Sequence, residues 1–264
     1  MDFTEEQLER YSRHIILKDV GGKGQEKILK SKVLIVGAGG LGSTAAIYLS
    51  AAGVGTLGIA DGDRVDRTNL QRQVIHYTPD IGKLKVDSAK EKIALLNPNV
   101  KVCTYPERIF SKNAIDIIKE YDFVIDGTDN FSTKFLINDA CVISEKPFSH
   151  GGILQFEGQT MTYIPGHGCY RCLFTGPPPQ DLIPTCSQAG VLGSIAGLLG
   201  TIQATEALKY ITGVGELLMD RILVFDVKIM EFRTVHFKLK KDCPACGSKN
   251  TTKELIDYEQ TVCY

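Results

Sequence analysis

A glycine-rich segment followed by an acidic residue forms the first group that could do chemistry. The segment follows the apolar run at 33–36 and opens a predicted helix. In that context glycines allow a tight turn, so phosphate oxygens can approach backbone amides at the positive end of the helix. Asp61 ends the next predicted strand, where a carboxylate can accept hydrogen bonds from ribose hydroxyls. The pattern predicts nucleotide binding, with a ligand-free strand-to-helix turn as the alternative. The glycines concerned are Gly37, Gly39, Gly40 and Gly42.

The polar residues after Asp61 favour a nucleoside triphosphate over a dinucleotide. A triphosphate carries about four negative charges, and its transfer chemistry relies on cationic side chains and a metal ion. Arg72 can bind phosphate oxygens in a bidentate manner, whereas Lys85 offers a point charge. Lys83 and Lys85 both fall in the first turn of a predicted helix over 82–96, where a cation opposes the helix dipole and so indicates function. A solvated lysine pair is the alternative. Asp63, Asn69 and Gln73 belong to the same dense polar cluster as Arg72 and Lys85.

A third polar group follows the predicted strand at 123–125. The carboxyl ends of parallel strands form the ligand crevice of such sheets, and an aspartate there can hold Mg²⁺ between phosphates. We take Asp129 as the predicted magnesium ligand, with Asn130 beside it in the nucleotide site. Asp126 is the alternative ligand, although it could equally cap the turn.

Two C-x-x-C pairs predict a metal site. Each pair can place two thiolates on one ion, and together they complete a tetrahedral zinc site with four cysteine ligands. Such a site has no open coordination position, so its role is structural. A redox dithiol and a disulfide pair are the alternatives. The four candidate ligands are Cys169, Cys172, Cys243 and Cys246.

The other four cysteines differ in context. Cys186 directly precedes a predicted long helix, and a thiol at a helix N-terminus has a lowered pKa and is a better nucleophile. We therefore take Cys186 as a candidate nucleophile, with a chance loop cysteine as the alternative. Cys103 and Cys141 lie among apolar residues and read as buried small hydrophobes, and Cys263 is close to the last residue.

The elements that must position these groups alternate between strand and helix. Strands at 33–36, 56–60, 100–104 and 123–126 alternate with a helix from after Gly42 to about residue 52 and with helices at 82–96 and 114–120, which indicates a parallel, doubly wound sheet. An N-terminal helix within 4–20 begins with a capping box at Thr4. The second half predicts a hairpin over 152–163 turning near Glu157 and Gly158, a helix over 188–211, and strands at 223–227 and 232–239.

The expected fold is thus a Rossmann-like, doubly wound, mostly parallel α/β sheet extended by antiparallel strands, with a four-cysteine zinc site. We find no clean linker and predict one domain over 1–264. Its nucleotide-binding half spans 32–146, and its second half spans 147–264 and carries the zinc ligands.

Composition excludes several classes of function. Thirty basic residues against 31 acidic residues give a net charge of −1, which argues against a broad surface for nucleic acid or anionic lipid. No charge-free apolar run reaches about 18 residues, so we expect no membrane span. The polar N-terminal segment lacks the apolar region of a signal peptide, which predicts a cytoplasmic protein.

The ordered set of motifs resembles the ThiF/MoeB/HesA family, the bacterial relatives of ubiquitin-activating enzymes. The similarity covers nearly the whole chain. The motifs that carry it are Glu9-Arg10-Tyr11-Ser12-Arg13-His14, Gly37 to Gly42, Asp61-x-Asp63, Asn69-Leu70-Gln71-Arg72-Gln73, Gly82-Lys83-x-Lys85, Thr128-Asp129-Asn130, Cys169-Tyr170-Arg171-Cys172 and Cys186.

The resemblance implies an adenylyltransferase. Such enzymes use MgATP to adenylylate the C-terminal Gly-Gly carboxylate of a ubiquitin-like sulfur carrier, ThiS-like or MoaD-like, before thiocarboxylate formation for thiamin or molybdopterin. By analogy Asp61 holds the ribose, Asn69 and Arg72 hold the phosphates, and Arg13 reaches into the site of a partner subunit in a homodimer. Cys186 matches the family cysteine implicated in sulfur transfer. No rhodanese-like segment is recognised, so the expected sulfur donor is separate, a cysteine desulfurase or a rhodanese.

Two other functions remain as alternatives. An NAD(P)-dependent oxidoreductase would share the glycine turn but leaves Arg72 and Lys85 without a role. A non-catalytic binder of a ubiquitin-like partner would not need Arg72, Lys85 and Asp129.

Overall fold

The computed structural model describes residues 3–178, 189–248, 252 and 254–258. The chain opens with three helices, α1 (Glu5–Arg10), α2 (Ser12–Ile16) and α3 (Gly21–Lys30). The predicted capping box is present. Thr4 Oγ1 accepts a hydrogen bond from the Gln7 backbone amide, and Gln7 Oε1 accepts one from the Thr4 backbone amide. The single helix expected within 4–20 is wrong. Tyr11 leaves helical geometry between α1 and α2 because its ring is buried and its hydroxyl accepts a hydrogen bond from Asn97.

The parallel half follows the predicted alternation. Strands β1 to β5 run parallel in the order β3-β2-β1-β4-β5. The elements are β1 (Lys32–Val36), α4 (Gly40–Ala52), β2 (Thr56–Ala60), α5 (Lys85–Leu96), β3 (Lys101–Tyr105), α6 (Ala114–Ile118), β4 (Phe123–Asp126), α7 (Phe131–Ile143) and β5 (Phe148–Leu154).

The second half extends this sheet with antiparallel strands. Strands β6 (Glu157–Tyr163), β7 (Arg221–Asp226) and β8 (Glu231–His236) continue outward from β5, giving eight strands in the described chain. The predicted hairpin is confirmed as β5 and β6, but its turn lies at residues 155–156 rather than near Glu157 and Gly158. Helix α8 (Tyr170–Leu173) carries the first cysteine pair. The mostly parallel sheet with an antiparallel extension is therefore confirmed.

The sheet is buried between helices on both faces. On one face α4, α5 and α9 (Gly193–Thr212) enclose a core around Val33, Ile35 and Leu49. On the other face α6 and α7 enclose a core that includes Leu34 and Val124 of the strands and Phe135 of α7. Successive strand residues alternate between the two cores, as expected for a sheet covered on both sides.

Helix α9 packs closely against α4. A Cβ built at Gly200 would lie 2.4 Å from the Leu41 carbonyl oxygen, so the two backbones approach as only glycine allows. The helix expected over 188–211 begins at Gly193 in the structure, and position 188 lies outside the described residues. Within the described part of the chain, no helix is long and apolar enough to cross a bilayer.

Candidate active site

The glycine turn lies where β1 enters α4, directly against the loop that follows β4. Gly37 has a φ of +93°, and a Cβ at this position would lie 2.9 Å from the Gly127 carbonyl oxygen. A Cβ at Gly42 would lie 1.8 Å from the Gly37 carbonyl oxygen. Side chains are thus excluded from both positions, and the turn brings the carboxyl ends of β1 and β4 together.

Asp61 fixes the turn from the end of β2. Its carboxylate accepts hydrogen bonds from the amides of Ala38 and Asp63, each at 2.8 Å. Burial raises the pKa of Asp61, while the charge of Lys85 and the two amide bonds oppose that rise. The position at the strand end is the one expected for a carboxylate that contacts a ribose.

Asp63 joins two cations beside this turn. Lys85 Nζ lies 3.1 Å from Asp63 Oδ2, and Arg108 Nη2 lies 3.2 Å from Asp63 Oδ1. Partial burial would raise the pKa of Asp63, but Lys85 and Arg108 together hold it below its ordinary value. The Lys85 side chain is only 8% exposed, so its charge is held at the crevice by this ion pair. Arg108, which the sequence analysis missed, gave no local signal because it lies in a loop far along the chain.

Lys83 and Lys85, both predicted to lie in the first turn of one helix, occupy different positions in the structure. Helix α5 begins at Lys85, and Lys83 precedes it. Lys83 lies 2.8 Å from Glu91 and 3.4 Å from Asp80, on the outer side of α5. The first-turn position is therefore confirmed for Lys85 and wrong for Lys83.

Arg72 and Gln73 approach the glycine turn from the segment between β2 and α5. A 3₁₀ turn at Arg67–Asn69 leads into them, and the Asn69 carbonyl accepts from both of their amides. Arg72 Nη1 donates to the Thr68 carbonyl at 3.1 Å.

A Cβ at Gly40 would lie 3.6 Å from Arg72 Cγ, and one at Gly39 would lie 3.7 Å from Gln73 Nε2. Gln73 is buried, and its Oε1 has no hydrogen-bond partner within the described residues.

Asp126 and Asp129 have opposite environments in the loop after β4. Asp126 is fully buried, and its Oδ1 accepts from the amide and hydroxyl of Thr128 at 3.1 and 2.6 Å. Asp129 is exposed on the same loop. Asn130 begins α7 as its N-cap, with Oδ1 accepting from the Thr133 amide at 2.9 Å. Since Asp126 is used inside the protein, Asp129 is the carboxylate available to a metal at the crevice.

Two residues that the sequence analysis missed hold Asp126 in place. Lys134 Nζ lies 3.2 Å from Asp126 Oδ2, and His150 Nδ1 lies 3.1 Å from the same oxygen. Burial would raise the pKa of Asp126, but the charge of Lys134 and the hydrogen bond from His150 lower it to about 2. The available signal was a single lysine next to the apolar stretch at 135–137. This buried cluster fixes the loop that carries Asp129.

Two predicted residues are not brought to the crevice by the described part of the chain. Arg13 is exposed on α2, and no described contact joins it to the glycine turn of its own chain. Cys186 lies outside the described residues.

The four cysteines of the C-x-x-C pairs form one cluster. All four sulfurs lie within 4.8 Å of one another, with Cys169 Sγ 3.7 Å from Cys243 Sγ and Cys172 Sγ 3.5 Å from Cys246 Sγ. A tetrahedral zinc ion with bonds of ~2.3 Å sets its sulfurs ~3.8 Å apart, so the donor set and spacing fit such an ion. Hydrogen bonding with Cys169 lowers the pKa of Cys172, which favours the thiolate at that position.

The crevice therefore combines backbone amides, the three cations Arg72, Lys85 and Arg108, and an exposed carboxylate around one turn. Amides at the start of α4 can bind an anion, while Arg72 and Lys85 can neutralise charge on phosphate oxygens. Asp61 and Asp63 can accept from ribose hydroxyls, and Asp129 can hold a divalent cation. Such an arrangement suits transfer chemistry on a nucleoside triphosphate.

Comparisons with known proteins agree with this chemistry. Residues 11–245 match the model of the ThiF family. The chain is 44% identical over 265 residues to the sulfur carrier protein adenylyltransferase of Thermus thermophilus, covering 98% of both. It is 45% identical over 256 residues to the SAMP-activating enzyme E1 of Haloferax volcanii, covering 97% of this chain and 95% of that protein.

Longer relatives and solved structures extend the comparison. The probable adenylyltransferase/sulfurtransferase MoeZ of Mycobacterium tuberculosis is 45% identical over 262 residues, and this chain spans 65% of its length. Among solved structures, E. coli MccB with ATP superposes with a TM-score of 0.79 at 22% identity, covering 90% of this chain and 73% of that one. At that identity the superposition establishes the fold.

Proposed function

Because this chain belongs to the ThiF family, we propose that it uses ATP to adenylylate the C-terminal Gly-Gly carboxylate of a ubiquitin-like sulfur carrier protein. The observation that carries the proposal is the convergence of the glycine turn, the Asp63–Lys85 pair and Arg72 on one crevice. The Thermus relative, which this chain matches over 98% of both lengths, is named a sulfur carrier protein adenylyltransferase.

The reaction needs positioning and charge neutralisation more than proton transfer. The carrier's terminal carboxylate is already ionised at neutral pH, so no general base is required. One of its oxygens attacks the α-phosphorus of ATP, the bond to the bridging oxygen breaks, and pyrophosphate leaves. The products are the acyl-adenylate and pyrophosphate. Arg72 and Lys85 would stabilise the charge on the phosphate oxygens, and Asp61 would hold the ribose.

Two metals complete the proposal. Asp129 would hold Mg²⁺, which supplies positive charge between the phosphate groups. Cys169, Cys172, Cys243 and Cys246 would hold Zn²⁺ in a closed site that ties the middle of the chain to its C-terminal part. The closed donor set supports a structural role, since no position is left for a substrate.

We also propose a homodimer in which Arg13 serves the partner's crevice. Its exposure on α2, away from the crevice of its own chain, supports this role. Mixing an Arg13→Ala variant with a Lys85→Met variant tests it. Activity regained on mixing supports a shared site, and no recovery under conditions that exchange subunits contradicts it.

The sulfur step is proposed to follow with a separate donor, a cysteine desulfurase or a rhodanese, in the cytoplasm. The relative of matching length is named for adenylyl transfer alone, whereas the longer MoeZ is also named a sulfurtransferase. Cys186 is the proposed nucleophile for sulfur transfer to carriers of thiamin or molybdopterin synthesis. Cys186→Ala should then leave adenylylation intact and impair thiocarboxylate formation.

ATP–pyrophosphate exchange is the direct test. Exchange that depends on a ThiS-like or MoaD-like carrier ending in Gly-Gly supports the proposal. A carrier truncated by its last two glycines is the matched control and should support none. Absence of exchange with every Gly-Gly carrier, together with hydride transfer from NAD(P)H, would instead favour an oxidoreductase, and carrier binding without exchange would favour a non-catalytic binder.

A further inference from the structure

A buried imidazole at the carboxyl end of the parallel strands has one nitrogen without a partner. His150 is 1% exposed, and its Nδ1 lies 3.1 Å from Asp126 Oδ2. Its Nε2 is buried and has no hydrogen-bond partner among the residues that the structure describes. Buried polar atoms are nearly always paired in proteins, so this nitrogen points to a donor that arrives from outside the described fold.

The hydrogen bonds define what kind of partner Nε2 needs. Asp126 is ionised, since Lys134 lies 3.2 Å away and holds its pKa at about 2 against the effect of burial. An ionised carboxylate accepts hydrogen bonds, so Nδ1 of His150 must donate. Burial lowers the pKa of His150, which keeps the ring neutral at pH 7. Nε2 is therefore an acceptor, and its partner must be an N–H or O–H group.

The position of His150 on β5 shows where that donor would lie. A Cβ at Gly151 would meet Leu41 and Gln203, so odd-numbered positions here face α4 and α9. His150 and Gly152 face the opposite side of the sheet, where Tyr170 lies against the imidazole with ring centroids 4.3 Å apart. Parallel pairing between β4 and β5 ends at Asp126 and His150, so His150 lies at the edge of the sheet where the carboxyl ends of the parallel strands meet.

Gly152 and Gln159 border Nε2. A Cβ at Gly152 would lie 3.6 Å from His150 Nε2, 3.6 Å from Gln159 Nε2 and 3.5 Å from Gln159 Cγ, in ordinary contact with all three atoms. Any larger side chain would thus extend over the imidazole. With glycine there, an extended backbone can approach the strand closely, and a chain that itself lacks Cβ atoms can approach most closely.

We propose that His150 Nε2 accepts a hydrogen bond from a backbone N–H of the carrier's Gly-Gly tail as the tail passes over Gly152. The inference rests on the proposed function and makes His150 a residue that selects the tail. A glycine tail offers a peptide N–H in each residue and no side chain to collide with Gly152. The ribose hydroxyls of ATP are the other donors in the crevice, but Asp61 and Asp63 at the end of β2 are placed to accept from them.

Two variants of His150 separate the acceptor from the link to Asp126. His150→Asn keeps an N–H donor near the Nδ1 position and removes the atom at Nε2. His150→Phe removes both functions and fills the space. We expect roughly a tenfold rise in the carrier KM for pyrophosphate exchange with His150→Asn, since one hydrogen bond to a buried acceptor is lost. ATP affinity, measured by direct titration, should stay within about twofold in His150→Asn, whereas His150→Phe also loses the bond that anchors the loop of Asp129 and should bind MgATP more weakly.

Semisynthetic carriers provide the test that does not depend on folding of a variant. An ester in place of the amide at either of the two terminal glycines removes one N–H with little change in shape. One of the two esters should raise the carrier KM roughly tenfold with the unsubstituted chain. The same ester should have little further effect with His150→Asn, because the bond is already absent.

The outcomes distinguish this inference from the proposed function. Coupling between His150 and one ester supports the tail contact. If the unsubstituted chain exchanges pyrophosphate normally and each ester has the same effect on it as on the His150→Asn variant, the contact does not exist, and Nε2 is satisfied by water or by the neighbouring Gln159 amide. If the unsubstituted chain shows no carrier-dependent exchange at all, the proposed function itself fails.

Discussion

The cysteine cluster and the nucleotide crevice are assembled in opposite ways. In the cluster, four sulfurs converge within 4.8 Å, and three of the four residues are buried. In the crevice, the charged groups are bound to neighbours within the chain, as Lys85 is to Asp63 and Arg72 is to the Thr68 carbonyl. The cluster is complete as a ligand set, whereas the crevice must exchange some internal contacts for contacts to a substrate.

That difference follows from what each region has to do. A structural ion must remain bound, so its ligands have no better partner than the ion. A catalytic crevice must release its product, so its cations need alternative partners between turnovers. Asp63 supplies such a partner for both Lys85 and Arg108. The comparison therefore predicts effects on folding from the first region and effects on rate from the second.

The largest effect should come from the cysteine cluster. Cys243→Ala removes one of four ligands, and because metal affinity becomes folding free energy, we expect a loss of more than ~5 kcal/mol in unfolding free energy. The thermal midpoint should fall by more than ~10 °C. Calorimetry with metal analysis of the purified protein measures both. Cys103→Ser, on β3 away from the cluster, is the matched control and should retain its metal. A metal-free Cys243→Ala protein with unchanged stability would contradict a structural role for the cluster.

The same contrast explains how much the sequence could predict. The glycine turn and the C-x-x-C pairs were predictable because local spacing alone defines them. The parallel sheet was predictable because apolar strands alternate with helices. Helix α3 was missed because it begins with Gly21 and Gly22, and glycine opposes helix formation unless tertiary contacts compensate.

The crevice contained groups that no local pattern could place. Arg108 pairs with Asp63 across 45 positions, and His150 pairs with Asp126 across 24. Pairs so distant are joined by the order of strands in the sheet, which the sequence analysis predicted only as a class. The prediction of a single N-terminal helix was wrong for a related reason, since burial of Tyr11 against the body of the fold overrides local helix propensity.

The next largest effect should come from Asp129, on rate rather than stability. Asp129→Ala removes the proposed magnesium ligand, and we expect carrier-dependent pyrophosphate exchange to fall by about 1000-fold or more. Thermal unfolding should be unchanged, because Asp129 is exposed. Asp116→Ala, an exposed aspartate on α6 that pairs with Lys119, is the control. Undiminished exchange in Asp129→Ala would show that another group holds the metal.

Lys85 and Lys83 provide an internal comparison two residues apart. Lys85→Met removes a buried charge from the crevice and should lower kcat for exchange by about 100-fold. Lys83→Met removes a charge paired with Glu91 on the outer side of α5, and its kcat for exchange should stay within about twofold of that of the unsubstituted chain. Steady-state kinetics of both variants measure the contrast. Equal losses would mean that the helix start as a whole, rather than the Lys85 charge, supports the reaction.

The smallest effect should be on the unfolding free energy, and it comes from Asp126, which anchors the loop that carries Asp129. Its pKa is lowered to about 2 from an unfolded value of ~3.9, so its ionised form stabilises the folded chain above about pH 4. That contribution, roughly 2 kcal/mol, should disappear as the pH falls from about 4 toward 2. Unfolding free energies of the unsubstituted chain and of Asp126→Asn, measured from pH 7 to pH 2, give two slopes of unfolding free energy against pH. Any constant cost of the substitution cancels in the slopes, and the Asn variant should lose less stability in acid. Parallel slopes would mean that Lys134 and His150 do not hold this carboxylate ionised, and the loop carrying Asp129 would then need another anchor.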